Sequence, residues 1–193
     1  MPLQRDATQQ RRRIVRSALS VLARDGIDAL SMRAVARRAG CTIGLINHWF
    51  SSKEDLITAA WQEAAETVNR NARRAYKEGI SLALLQESLA TSAAKRREQA
   101  VWLAFNAMTI GNPKLAAAHA RYYANGRGQL TEMLTRVGYS AGEAAETAGI
   151  IIAAIDGILY NAGIEPRYWT AARQRRALVA LVGPFLSKLR INS

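Results

Sequence analysis

Asn47 and His48 stand beside Trp49 and Phe50, and the chain continues Ser51-Ser52-Lys53-Glu54-Asp55. An amide and an imidazole can exchange hydrogen bonds with base edges, and a lysine at the opening of a helix, near free backbone N–H groups, can hold a phosphate. Upstream, Arg11-Arg12-Arg13, Arg33, Arg37 and Arg38 lie close to the same stretch. This is chemistry for binding an anionic polymer. Catalysis has little to draw on: one cysteine (Cys41), two distant histidines (His48 and His119), no phosphate-cradling glycine loop and no carboxylate pair at useful spacing. No second ligand lies at helical spacing from His48, so neither a metal site nor a cofactor is expected, and the chain does not read as an enzyme.

Positioning Asn47 and His48 takes two short helices with a tight joint. Ser31 can cap Met32 to Ala39, Gly40 can stop that helix in a left-handed turn, and Thr42 can cap Ile43 to Phe50. Ile46 and Phe50, four apart, should face the core with Trp49 beside them, which directs Asn47 and His48 elsewhere. Thr42, Ile43, Gly44, Leu45, Asn47 and His48 are then the short or flat residues a helix needs in the major groove. Arg12, Ser31, Arg33 and Lys53 would serve the phosphates. Gly44 costs about 1 kcal/mol inside a helix. Its presence implies close approach of another surface, either DNA or the first helix. Cys41 is the small residue the turn needs.

The punctuation elsewhere is helical and predicts an all-α chain of about nine helices. The first runs from Thr8 to Asp25, with Ile14, Ala18, Val21 and Leu22 on one face. Ser52 to Asp55 offers a capping box for a long fourth helix through Trp61, Val68 and Tyr76, with Arg70, Arg73, Arg74 and Lys77 on one face. Helices are expected over Leu82–Ala94 and Lys95–Ile110. Asn112-Pro113 opens another to Val137, Ser140–Glu143 a capping-boxed one to about Ala162, and a last spans Thr170–Leu189. This divides the chain into a three-helix, helix-turn-helix module over 8–52 and a larger helical bundle over 53–193.

The 193 residues are 49% hydrophobic, enough for a sizeable core, and carry a net charge of +12. Residues 1–60 hold +5 of it, the remainder +7. The lone cysteine suits a reducing compartment, and the N-terminus lacks the apolar stretch of a secretory signal, so a cytoplasmic protein is expected. The most apolar run, Gly149 to Leu159, is too short to span a bilayer and contains Asp156, which argues against a membrane partner.

The stretch around the joint resembles the N-terminal module of TetR-type transcriptional regulators. Ala39-Gly40, Thr42, Gly44, Ile46, Phe50, Lys53 and Leu56 match its pattern, whereas Cys41 replaces a usual Val and Asn47 a common phosphate-contacting Tyr. The ending Asn47-His48-Trp49-Phe50, with Val101–Phe105 and Ala154–Gly157, is similar to the BetI-type branch, the regulators of choline-to-betaine genes. The resemblance implies a homodimer on double-stranded operator DNA, most commonly a repressor, controlled through a bundle that binds a choline-like effector.

The larger half supplies parts for both roles. Gly149, Ala153 and Gly157 repeat every four residues and permit close helix packing; with Leu178, Leu181, Val182 and Phe185 on the last helix they are the expected dimer interface. Two recognition helices about one DNA turn apart, roughly 34–36 Å, predict a palindromic operator. Asp156 and Tyr160 are four apart, and Trp102, Phe105, Asn106 and Thr109 share a stripe. A carboxylate near aromatic faces suits a cationic or quaternary ammonium effector. The stripe could equally be core, and Asp156 could pair with an arginine. Tyr122, Tyr123 and Arg127 are further candidates, Arg127 favouring an anion instead. His119 reads as an ordinary surface or packing residue. The rival function is a broad-specificity basic DNA-packing protein of the nucleoid without effector control, since charge alone gives non-specific affinity.

Overall fold

The computed structural model describes residues 2–75 and 79–186, and the side chains of 7–70 and 79–186. Among these residues nine helices follow one another without a strand: α1 (Pro2–Asp25), α2 (Met32–Ala39), α3 (Ile43–Trp49), α4 (Lys53–Ala75), α5 (Leu82–Gln86), α6 (Ala93–Thr109), α7 (Pro113–Arg136), α8 (Ala141–Ile164) and α9 (Ala171–Leu186). They gather in two compact units. One holds the chain up to Asn69 with Ala100–His119, the other Arg70–Gln99 with the chain from Ala120 on.

In the first unit α1 packs on α2 and α2 on α3. Ile14, Val15, Ala18, Val21 and Leu22 of α1 are buried with Val35, Ala36 and Ala39 of α2, Ile46 of α3, Phe50, and Leu56, Ala60 and Trp61 of α4. The joint is built as its residue types require. Ser31 Oγ accepts from the Ala34 N–H at 3.1 Å. Gly40 sits at φ 63°, and Thr42 Oγ1 accepts from the Leu45 N–H at 3.2 Å. Helix α1 starts at Pro2 rather than Thr8, proline being well placed at a first helical position. Phe50 caps α3 instead of extending it.

The second unit closes around Leu85, Leu89, Leu130, Leu134, Ile151, Ile158, Leu178 and Val182, with α9 packed on α5 and α8. The expected helix over Leu82–Ala94 is cut short at Gln86. The Ser88 and Leu89 N–H groups turn back onto the Leu85 and Gln86 carbonyls, both at 3.1 Å. Ser92 Oγ then accepts from the Lys95 N–H at 3.2 Å and opens α6. A serine able to bond the backbone outside a helix favours this break, which also buries Leu89 and Ala90.

The Ser140 capping box is complete: its hydroxyl serves the Glu143 N–H and the Glu143 carboxylate serves the Ser140 N–H. At Ser52 only half of the expected box forms. Its hydroxyl accepts from the Asp55 N–H at 3.1 Å, while the Asp55 carboxylate is taken by the Ser51 hydroxyl and Lys114. Helix α8 is 24 residues long, more than the apolar run 149–159 suggests, and by length and composition alone it could cross a membrane. Ala144, Ala148, Ile151, Ile158 and Ala162 of that helix are buried, whereas Glu143, Glu146, Ala153, Gly157 and Tyr160 are exposed. Tyr76, Lys77 and the end of the last expected helix, 187–189, lie outside the described residues, as do the side chains of Arg73 and Arg74.

Candidate functional site

Helix α3 divides its residues as its sequence requires. Ile46 and Phe50 are buried and Trp49 half-buried, its ring meeting His48 edge-on at 5.1 Å. Thr42, Ile43, Gly44, Asn47 and His48 are exposed, Leu45 half so. A Cβ added to Gly44 would meet only Thr42 Oγ1, at 3.8 Å. Helix α1 is therefore not the surface that approaches this glycine, and the gap faces outward.

The arginines separate into two groups. Arg13 Nη2 donates to the Ala39 carbonyl and so closes the end of α2, Arg38 donates to Ser20 Oγ through Nε and Nη2 at 3.1 and 2.8 Å, and Arg11 lies over the Phe50 ring at 5.1 Å. These three brace the module. Arg12, Arg33 and Lys53 are exposed and make no hydrogen bond or ion pair among the described residues, so their charge is available for phosphates. Ser31 is exposed but already engaged in capping α2. Lys53 opens α4, where the Lys114 ammonium and the Ser51 hydroxyl hold the Asp55 carboxyl below its usual range.

The residues expected to hold an effector fall into both compact units. In the first, Phe105 is fully buried and serves as core. Trp102 is half-buried, its ring 6.3 Å from Trp61 and 6.4 Å from His119. His119 packs beside them. Its ring lies 5.6 Å from Trp61, its Nε2 is 2.8 Å from Asn106 Oδ1, and burial lowers the pKa of its imidazole. In the second unit Tyr123 donates its hydroxyl to Asp156. Burial raises the Asp156 carboxyl, the Tyr123 hydrogen bond opposing it; burial first, then the charge of Asp156, push the Tyr123 hydroxyl well above its ordinary value. Among the described residues no arginine pairs with Asp156. Tyr160 is largely exposed, as is Arg127.

Two members of the expected dimer interface are corrected. Leu178 and Val182 are wholly buried in the core of their own chain, because they face α8 and α5 at helical spacing. Phe185 is half-buried, and its carbonyl accepts from Tyr139. The outward apolar surface comprises Ala153, Gly157 and Leu181, with half-buried Gly149, and sequence reasoning missed Ile150, Ile164 and Val179, exposed by 38%, 59% and 44%. Gln99 was also missed. It is buried, and its Nε2 donates to the Leu159 carbonyl. Nothing in the charged stretch Lys95–Glu98 before it signals burial.

Residues 14–60 match the model of the tetR family of bacterial regulatory proteins, and residues 81–186 match that of the BetI-type transcriptional repressor C-terminal domain. Among curated relatives, the regulator PksA of Bacillus subtilis is 30% identical over 113 residues, and the chain spans about half of that relative's length, 55% of each. The regulator BetI 1 of Chromohalobacter salexigens is 23% identical over 86% of this chain and 85% of its own. Among solved structures, a Rhodococcus transcriptional regulator superposes with a TM-score of 0.83 at 26% identity, over 91% of this chain and 95% of that one. A Saccharomonospora viridis protein, described as a transcriptional regulator in complex with choline, gives 0.73 at 23% identity over 93% and 96%. The motif over Ala39–Leu56 and the stretches Val101–Phe105 and Ala154–Gly157 fall within the matched spans. The chain belongs to the TetR family of bacterial regulatory proteins, which are DNA-binding regulators rather than enzymes, and carries the C-terminal domain of the BetI-type transcriptional repressors.

Proposed function

We propose that this regulator is a cytoplasmic homodimeric repressor that reads a palindromic operator with α3 and leaves it when a small cationic effector binds at Asp156. The observation that carries the proposal is the division of α3: Ile46 and Phe50 hold the helix in the core while Asn47, His48 and the open edge at Gly44 face outward. Short polar side chains beside a gap let a helix lie deep in the major groove, and Arg12, Arg33 and Lys53 supply charge for the flanking phosphates. Residues 8–52 form the reading module, and 53–193 carry effector binding and dimerisation.

Pairing through Gly149, Ala153, Gly157, Leu181 and neighbouring Ile150 and Val179 would cover apolar surface that is exposed in the single chain. It would also set two copies of α3 about one DNA turn apart. For the effector, the half-buried Asp156, with Tyr123 as its hydrogen-bond donor, favours a cation. The related fold solved with choline agrees in ligand charge. Trp102 and Asn106 are candidates in the other unit. Selection of binders from a randomised duplex library at near-physiological salt tests the proposal. Enrichment of a palindrome supports it; salt-sensitive binding with nothing enriched would favour a DNA-packing protein, the reading that the net charge of +12 alone would allow.

A further inference from the structure

Gln99 is only 7% exposed. It lies on α6 within the same compact unit as α8, and its Nε2 donates to the Leu159 carbonyl. Leu159 stands three residues, less than one helical turn, beyond Asp156. The bond pins one end of the amide. The other end, Oε1, is buried and finds no partner among the described residues. On the same helix the Asp156 carboxylate accepts from the Tyr123 hydroxyl, which engages one of its about four lone-pair positions. Two acceptors with unused capacity, one neutral and one acidic, thus lie within one turn of α8 of each other, counted from Asp156 to the carbonyl that holds Gln99. Buried acceptors in native proteins are normally matched by donors.

We infer that the effector is a cation bearing N–H groups, a primary or secondary ammonium, whose charge is met by Asp156 and one of whose N–H bonds is accepted by Gln99 Oε1. This rests on Asp156 being an effector residue. A quaternary ammonium of the same skeleton brings the charge but no donor, and would leave Gln99 Oε1 buried and unmatched. A site equipped to accept hydrogen bonds discriminates against an analogue that lacks the donor.

The test is calorimetric titration of the full chain with choline, N,N-dimethylethanolamine, N-methylethanolamine and ethanolamine. All four are monocations at neutral pH on one skeleton, and they carry from none to three N–H bonds. Affinity should rise along the series, by about tenfold or more from choline to ethanolamine. Gln99→Met, which keeps the side-chain length and removes the acceptor, should flatten the series. The wild-type series decides even if that variant folds poorly. Choline binding as tightly as ethanolamine, with both lost in Asp156→Asn, would overturn the N–H requirement and leave the Asp156 reading intact. Absence of binding by all four, or binding indifferent to Asp156→Asn, would overturn both.

Discussion

Helices α3 and α8 solve opposite problems. Helix α3 has seven residues and sorts them sharply: Ile46 inward, Asn47 and His48 outward, with caps at both ends. Helix α8 has 24 residues, is apolar on nearly every side, and places its one carboxylate beyond the first turns, Asp156, halfway into the protein. A short helix with few polar residues declares its outward face because only a few of its residues can be buried. A long apolar one does not, since core, partner surface and ligand site all accept the same small and aliphatic residues. The proposed reading element is therefore local, whereas the proposed controlling element depends on residues that are distant in sequence.

The sharpest way to break this contrast is to remove the anchor of α3. Ile46→Ala should cost about 2–5 kcal/mol and abolish operator binding together with a lowered thermal midpoint; full operator binding in a destabilised protein would show that α3 need not be held. Asn47→Ala and His48→Ala should do the reverse. Each is expected to cost about 1–3 kcal/mol of discrimination between operator and unrelated DNA, with stability unchanged to within about 0.5 kcal/mol, as competition binding and thermal melts would report.

On α8, Asp156→Asn should remove an effector coupling of about 1–3 kcal/mol, seen as operator affinity that no longer responds to the cation. Its effect on stability has a definite sign. The Asp156 carboxyl is raised in the folded chain, so the folded state holds its proton to higher pH than the unfolded one, whose carboxyl titrates at about 3.9. Stability from this group is fully present below that value and falls as pH rises to the folded pKa, staying lower above it. Asp156→Asn should lack this slope and melt at or above the wild-type temperature at neutral pH. The smallest effect is expected at Lys53→Ala: nearly uniform weakening on all sequences, with the salt dependence reduced by about 0.9. An unchanged slope would place Lys53 away from the phosphates.

The joint between α2 and α3 was legible because Ser31, Gly40 and Thr42 act through their own backbone neighbourhood, and those hydrogen bonds form where expected. The break after Gln86 was not, since Ser88, Thr91 and Ser92 permit either a helix or a turn and burial of Leu89 decides between them. The same limit applies to sites. Asn47 and His48 stand out in a seven-residue helix. His119 gains meaning only once Trp61, Trp102 and Asn106 surround it, and Gln99 only once its amide is fixed to a carbonyl 60 residues away. Leu178 and Val182 read as outward in the sequence because an apolar pair on a last helix fits a core as well as an interface, and nothing nearby in the chain distinguishes the two.

The central claim is that α3 presents an open face to bases, and Gly44→Ala tests it most directly. The Cβ site is open within the protein, so alanine should raise stability by up to about 1 kcal/mol through helix propensity. On the selected operator the same methyl would meet DNA and weaken binding by about tenfold or more, the size of a lost base contact. Measuring unfolding free energy and operator affinity on this one variant gives the answer. Greater stability with weaker operator binding is the predicted result; greater stability with undiminished operator binding would mean that the Gly44 edge does not approach the groove.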